Sequence, residues 1–264
     1  MRKILIAGVA ATAFCGAPAL AADMAVKAPP PPPAPVYSWT GFYIGANAGG
    51  AWSKADVTST FAPGANANIV ALDAADSPSL TGSGFTGGGQ AGFNYQAGAV
   101  VWGVEADINA LRTSGSQVNN ANFPIGGVAF TTTNSFSTSW LATVRPRIGV
   151  AFDRTLLYAT GGLAVTHLNY STLFTSAAGN FETANLSTTR TGWTVGGGLE
   201  YAWSANWSAK IEYLYMNFGN ASISAPDFFL GVQDGTITNS VHLTSNLVRA
   251  GLNYRFGGPI VAKY

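Results

Sequence analysis

Eight times between Thr40 and Phe256 the sequence alternates apolar residues with polar or small ones, and charges fall on the face opposite the apolar residues. A period of two is the signature of a β-strand with two unlike faces. The first segment, Thr40 to Trp52, sets Phe42, Ile44, Ala46 and Ala48 against Tyr43, Gly45, Asn47 and Gly49. The second, Phe85 to Gln96, sets Ala91, Phe93 and Tyr95 against Gln90, Asn94 and Gln96. The third begins at Val100 and sets Trp102, Val104, Ala106 and Ile108 against Glu105, Asp107 and Asn109. The fourth, Thr138 to Ala151, sets Trp140, Ala142, Val144, Ile148 and Val150 against Thr143, Arg145 and Arg147. In the fifth, Thr155 to Leu168, both faces are apolar or small and the phase stays open. The sixth, Thr189 to Tyr201, opposes Trp193, Val195, Leu199 and Tyr201 to Arg190, Thr194 and Glu200. The seventh, Trp207 to Phe218, opposes Ala209, Ile211, Tyr213 and Tyr215 to Lys210 and Glu212. The eighth, Leu243 to Phe256, opposes Val248, Ala250, Leu252, Tyr254 and Phe256 to Arg249, Asn253 and Arg255.

Such alternation fits a soluble sandwich or lipocalin-like barrel as well as a membrane barrel, because the pattern alone does not tell inside from outside. Composition and the N-terminus decide. Only 9% of residues are charged while 47% are hydrophobic, against about 25% charged in soluble domains. Met1-Arg2-Lys3, the apolar stretch Ile4 to Phe14 and Ala19-Leu20-Ala21 read as a secretory signal peptide, cleaved after Ala21 or Ala22. Beyond it no apolar run reaches the ~18 residues of a helical span, which leaves the closed barrel as the structure that satisfies its backbone in lipid. The expectation is an all-β, eight-stranded antiparallel transmembrane barrel in the outer membrane, its apolar face to lipid. The lone cysteine, Cys15, lies in the signal segment, so the mature chain has no disulfide, thiolate metal site or cysteine nucleophile. A formal charge of +1 predicts no general affinity for nucleic acid.

The connections alternate between long and short. Long polar stretches such as Ser53 to Ser83 and Asn169 to Thr188 predict four extracellular loops, and short turns such as Ala97-Gly98-Ala99 and Phe152-Asp153-Arg154 predict a periplasmic rim carrying both termini. The organisation expected is a signal peptide over 1–21, a Pro-rich periplasmic spacer over 22–38, a barrel over 39–256 and a periplasmic tail over 257–264. Aromatics mark both interfaces. Trp39, Phe42, Phe93, Tyr95, Trp102, Phe152, Tyr201, Trp203, Trp207, Tyr254 and Phe256 cluster near the short turns, and Trp52, Trp140, Trp193, Tyr215 and Phe218 near the long loops.

Several short motifs together resemble a known family. They are Trp39-Thr40-Gly41-Phe42-Tyr43-Ile44-Gly45, Gly92-Phe93-Asn94-Tyr95-Gln96, Trp102-Gly103-Val104-Glu105-Ala106-Asp107, Arg145-Pro146-Arg147-Ile148-Gly149, Tyr158-Ala159-Thr160-Gly161-Gly162-Leu163-Ala164 and Lys210-Ile211-Glu212-Tyr213-Leu214-Tyr215. The chain resembles the small outer-membrane proteins of Brucella and the rhizobia, called immunogenic or porin-like and related to the opacity proteins. That resemblance implies an eight-stranded barrel with exposed loops and roles in envelope integrity or host contact; some relatives bind haemin. The motifs do not cover the long loops, so loop-borne functions do not carry over. The partners implied are outer-membrane lipid and lipopolysaccharide, the barrel-insertion machinery, and a host surface or haemin.

No catalytic constellation and no cofactor site are expected. The string Gly82-x-Gly84-x-x-Gly87 matches a dinucleotide fingerprint but lacks the preceding strand and following helix. His167 and His242 stand near the loop rim without a second ligand at metal-binding spacing. The acids Asp73, Asp76, Asp227 and Asp234 fall in different loops, with nothing in the sequence to make them converge. The informative set is the inward charges Glu105, Asp107, Arg145, Arg147, Arg190, Glu200, Lys210, Glu212, Arg249 and Arg255. An eight-stranded barrel is just wide enough to be filled by side chains, so these predict a packed ionic core. The alternative is a narrow water-filled pore whose six basic and four acidic groups favour anions. Gly251, Tyr254 and Phe256 resemble the C-terminal signal read by the insertion machinery, with Phe256 continuing the outward series and Gly257-Gly258-Pro259 ending the strand.

Overall fold

The computed structural model describes residues 37–62, 67–179, 181–229 and 232–256, leaving aside the side chains of 226–229 and 232–234. Expectations for the signal peptide, most of the spacer and the tail fall on residues 1–36 and 257–264, outside the described residues. Eight antiparallel strands form a closed ring in sequence order: β1 (Gly41–Ala62), β2 (Ser79–Ala97), β3 (Val100–Asn122), β4 (Ala129–Phe152), β5 (Thr155–Ser176), β6 (Phe181–Ala202), β7 (Trp207–Phe229) and β8 (Val232–Arg255). One short helix, α1 (Ala67–Ala75), lies between β1 and β2. β1 closes on β8 from Tyr43↔Arg255 to Ala62↔Thr236.

Closure follows from local chemistry. The short turns reverse tightly because Gly98 and Asp153 adopt left-handed φ of 60° and 51°, a region open to glycine and tolerated by aspartate. Ile44, Ile108, Val144, Leu163, Ile211 and Leu252 face outward in a continuous apolar band. Glu105, Asp107, Arg145, Arg147, Lys210, Glu212 and Arg249 are buried inside. A soluble barrel would show the reverse arrangement, so the inside-out distribution places the outer face in lipid.

The strands run well past the expected ends. The stretches read as long loops are connections on the extracellular rim, but most of their length continues the sheet: Ser53 to Ala62 pairs with β8 as far as Thr236, and Phe130 to Thr138 pairs with β5. Above the membrane the outer face is polar and the inner face mixes Val57, Phe130 and Phe136 with Ser, Thr and Asn, so the hydropathy contrast that marks a strand is weak, while Ser and Thr still pair well in a ladder. The phase of β5 also becomes clear. Leu157 and Leu163 face out, whereas Leu156, Tyr158 and Leu168 are buried inside. It was unreadable because here the lumen is itself apolar.

Bulges reset the alternation near the outer interface. A register shift between Thr138 and Leu141 on β4 turns Phe136 inward, and one between Asn217 and Asn220 on β7 follows Gly219, with φ +65°. Phe218, expected in the outer girdle, is 1% exposed and packs inside. Trp39, expected in the periplasmic girdle, is also 1% exposed. The remaining periplasmic aromatics do face outward, with Trp207, Tyr254 and Phe256 in successive edge contacts at 5.2 Å.

Candidate functional site

The interior is layered. At the periplasmic mouth the residues just before β1 turn into the lumen, where Tyr37 and Trp39 pack with Val101, Leu156, Tyr158 and Ala202. Trp39 Nε1 donates to the Asp153 carbonyl at 3.3 Å, and its backbone N–H donates to Gln96 Oε1 at 2.7 Å. A buried indole needs a partner for its one polar atom, and the turn supplies it. Arg255 covers the plug from one side, its guanidinium 4.5 Å from the Tyr37 ring centroid and donating to the Ala205 carbonyl at 2.7 Å.

Above this plug lies an ionic belt. Glu105 accepts from Arg145 Nη2 at 2.7 Å, from Lys210 Nζ at 2.7 Å and from the Tyr43 hydroxyl at 2.8 Å. Asp107 accepts from Arg145 at 2.9 Å, Arg249 at 3.0 Å and Thr143 at 2.7 Å. Glu212 meets Arg249 Nη2 at 2.7 Å and accepts from the Tyr158 hydroxyl at 2.9 Å. Glu200 takes Arg147 at 3.2 Å, Ser208 and Asn253. Each acid is thus held by several donors contributed by different strands, and the belt ties β3, β4, β6, β7 and β8 together across the lumen.

Eight of the ten charges singled out in the sequence meet here, four acids with four bases: Glu105, Asp107, Glu200 and Glu212 with Arg145, Arg147, Lys210 and Arg249. Arg190 and Arg255 do not join them. Arg190 sits near the outer rim and donates to the Asn220 carbonyl, and Arg255 ends β8 at the periplasmic mouth. The basic excess expected from the sequence therefore disappears from the belt itself. Arg145 and Arg249 are at most 1% exposed, so these charges are withdrawn from water, which is tolerable only with opposite charge and good hydrogen bonds around them.

Two tyrosines that sequence reading left out complete the belt. Tyr43 lies across from Gly92 and Tyr158 across from Gly198, and each ring covers its bare glycine partner. The two rings then sandwich Arg147, whose guanidinium carbon is 4.9 Å and 5.1 Å from their centroids. The signal was a cross-strand pairing of aromatic with glycine, which needs the register to be seen. Gly198→Val is expected to cost about 1–3 kcal/mol, because a side chain there would strike the Tyr158 ring and the Ile211 carbonyl. A lowered urea midpoint for the folded, heat-modifiable band checks it.

Above the belt comes an apolar layer that includes Leu80, Leu111, Leu141, Leu168, Leu214, Met216 and Leu247. At the outer mouth α1 is pinned by its end: the Ala75 carbonyl accepts from Asn119 at 2.7 Å and Thr132 at 3.0 Å, and Asp76 accepts from Asn134 at 2.9 Å and Thr172 at 3.0 Å. Burial raises the Asp73 carboxyl on α1 above the ordinary range, and neighbouring Asp76 adds to the rise. His167 and His242 lie on different strands, β5 and β8, against Ser187 and Asn220 respectively. Among the described residues no three His, Cys, Asp or Glu side chains gather at metal-binding distance. The side chains of Asp227 and Asp234 lie outside what is described.

The assembly residues fall at the closing seam. Gly251 is buried beside Lys210, Tyr254 and Phe256 face outward, and the Phe256 N–H donates to the Phe42 carbonyl at 2.8 Å.

An outer membrane protein β-barrel domain model matches residues 7–256. The chain belongs to the outer-membrane β-barrel family. Within that family it is 35% identical to the 31 kDa outer-membrane immunogenic protein of Brucella melitensis, covering 97% of this chain and all of that one. It is 30% identical to a 22 kDa outer membrane protein of Rhizobium leguminosarum bv. viciae, covering 82% and 86% of the two chains. The barrel also overlaps the solved structure of Neisserial surface protein A, with a TM-score of 0.35 at 15% identity over 82% of this chain and 98% of that one. This is an outer-membrane barrel protein whose Brucella relatives are named outer-membrane immunogenic proteins and whose Rhizobium relative is named an outer membrane protein.

Proposed function

We propose that this barrel is a sealed, non-catalytic scaffold of the outer membrane, which contributes to envelope integrity and holds an extended β collar above the bilayer for surface contact. The observation that carries this is the layered lumen. A charge-balanced belt of buried ion pairs, stoppered below by Trp39 and above by a leucine layer, offers an ion neither a continuous water file nor a net field. The alternative of a small anion-preferring channel loses its main support once Arg190 and Arg255 stand apart from the belt. Haemin binding has no assembled ligand set to recommend it, since the two histidines lie on separate outer surfaces.

Reconstitution in a planar bilayer tests the proposal. Wild-type protein is expected to give no steady single-channel steps, whereas Trp39→Ala combined with Leu141→Ala is expected to raise leak by thinning both stoppers. Reproducible open-channel conductance in the wild type would overturn the sealed reading.

A further inference from the structure

The ring is not uniformly zipped. The β6–β7 ladder runs only from Trp193↔Asn217 to Ala202↔Ser208, ten residue pairs, while the next shortest ladder, β2–β3, has fifteen. Both strands continue upward regardless. β6 from Phe181 to Gly192 pairs with β5 alone, and β7 from Asn220 to Phe229 pairs with β8 alone. The separation begins at a local irregularity: Gly219, at φ +65°, adds a residue to β7 against β8 just beyond Asn217, where the β6–β7 ladder stops, and such a bulge bends its strand. Two strand edges thus face each other across a gap, and in each every second residue turns its N–H and C=O toward the opening.

The gap is closed at its foot. Gly192 packs so tightly that any Cβ would strike the Asn217 carbonyl, and Arg190 donates to the Asn220 carbonyl just above. Trp193 and Tyr215, ring centroids 5.5 Å apart, mark the membrane interface below that latch. The opening therefore begins above the bilayer and excludes a lipid tail entering from it. Its walls are two-sided. Ala184, Ile223 and Ala225 face inward over a small, mainly apolar cavity shared with Phe174, Ile237 and Leu72 and bordered by the polar Asp76, Thr172, Glu182 and Asn239, while Asn185, Ser187, Ser222 and Ser224 face out.

We propose that this seam is a strand-addition site, which takes an extended peptide segment of a partner protein as an extra strand between β6 and β7. Open backbone donors and acceptors on both sides call for a peptide backbone, which a lipid or a sugar cannot match along its length. The stretch free of the latch, Thr183 to Thr189, spans seven residues at ~3.3 Å each. Side chains of the guest would alternate, small apolar ones entering the cavity and polar ones facing water. The proposal gives a place to the surface-contact half of the proposed function. It is independent of whether the lumen conducts, so bilayer currents and peptide binding fail separately.

The test uses the full-length protein in liposomes and a synthetic peptide of about eight residues, alternating valine and threonine between terminal lysines. Binding read by fluorescence anisotropy is expected to slow amide hydrogen exchange in 183–191 and 220–225. The same peptide N-methylated at alternate amides is expected to bind at least about tenfold more weakly, having lost the donors to one edge. Carrying the ladder past the bulge places Ser187 opposite Ser224, so Ser187→Cys with Ser224→Cys provides a staple: bound when reduced, weakened at least about tenfold when oxidised. Equal binding of the N-methylated peptide, protection elsewhere, or undiminished binding to the oxidised staple would overturn the proposal. Concentration-dependent protection of these segments without peptide would assign the seam to a second copy of the chain, and would overturn it equally.

Discussion

Glu105→Leu is expected to lower the unfolding free energy of the folded barrel by about 3–5 kcal/mol, the cost of breaking a buried ion pair from one side. Glu105 is the hub of the belt. It receives Arg145 and Lys210 at 2.7 Å and lies within 3.7 Å of Arg147 and 3.6 Å of Arg249, so its removal strands a positive charge among four buried cations. Leucine fills the volume but restores none of the field. The comparison variant is Asp73→Leu on α1, outside the belt, where the change is expected to stay within ~0.5 kcal/mol. Urea titration of protein refolded into lipid, followed by the heat-dependent gel shift, reads both midpoints. Removing a base together with the acid provides the sharper check: Glu105→Gln with Lys210→Met keeps the belt balanced and is expected to recover a large part of the loss. Equal midpoints for Glu105→Leu and Asp73→Leu, or no recovery in the double variant, would show that these charges do not hold the barrel together.

Phe256→Ala in the full chain is expected to reduce the amount of inserted, heat-modifiable protein several-fold, whereas deletion of 257–264 leaves it nearly unchanged. Two roles meet at this residue. Its N–H closes the last rung onto Phe42, and its exposed ring stacks edge-on against Tyr254 at 5.2 Å, which in turn touches Trp207. An outward aromatic at the end of the closing strand anchors the periplasmic interface. It also continues the outward series Val248, Ala250, Leu252, Tyr254, the pattern that resembles an insertion signal. Outer-membrane fractions probed by gel mobility with and without boiling would measure both variants. Accumulation of the truncated chain in the periplasm, with normal insertion of Phe256→Ala, would move the signal into the tail.

How much of this was legible beforehand divides along a physical line. Strand number, strand order around the ring and the sidedness of Glu105, Asp107, Arg145, Arg147, Glu200, Lys210, Glu212 and Arg249 are written in a period of two, a property of each strand taken singly. Charge poverty and the outward aromatics then choose lipid over water for the apolar face. Wherever one face was apolar and the other charged, the reading held residue by residue.

Where the contrast vanished, so did the signal. Ser53 to Ala62 and Ala129 to Thr138 are mostly polar or small, with Val57, Phe130 and Phe136 scattered among Ser, Thr and Asn on the inner face, so only the ladder to a distant partner reveals them as strand. Phe218 lies inside because it continues the inward series Lys210, Glu212, Leu214, Met216 up to the bulge at Gly219, and Trp39 left the girdle because the chain before β1 folds into the mouth toward the Asp153 turn, more than a hundred residues away in sequence. The pairing of four acids with four bases, the tyrosines laid over Gly92 and Gly198, and the gap between β6 and β7 all depend on register, which sets which residues of separate strands stand side by side. Alternation belongs to the single strand and survives in the sequence; adjacency belongs to the closed ring, and only closure, with its bulges and its unequal ladders, decides it.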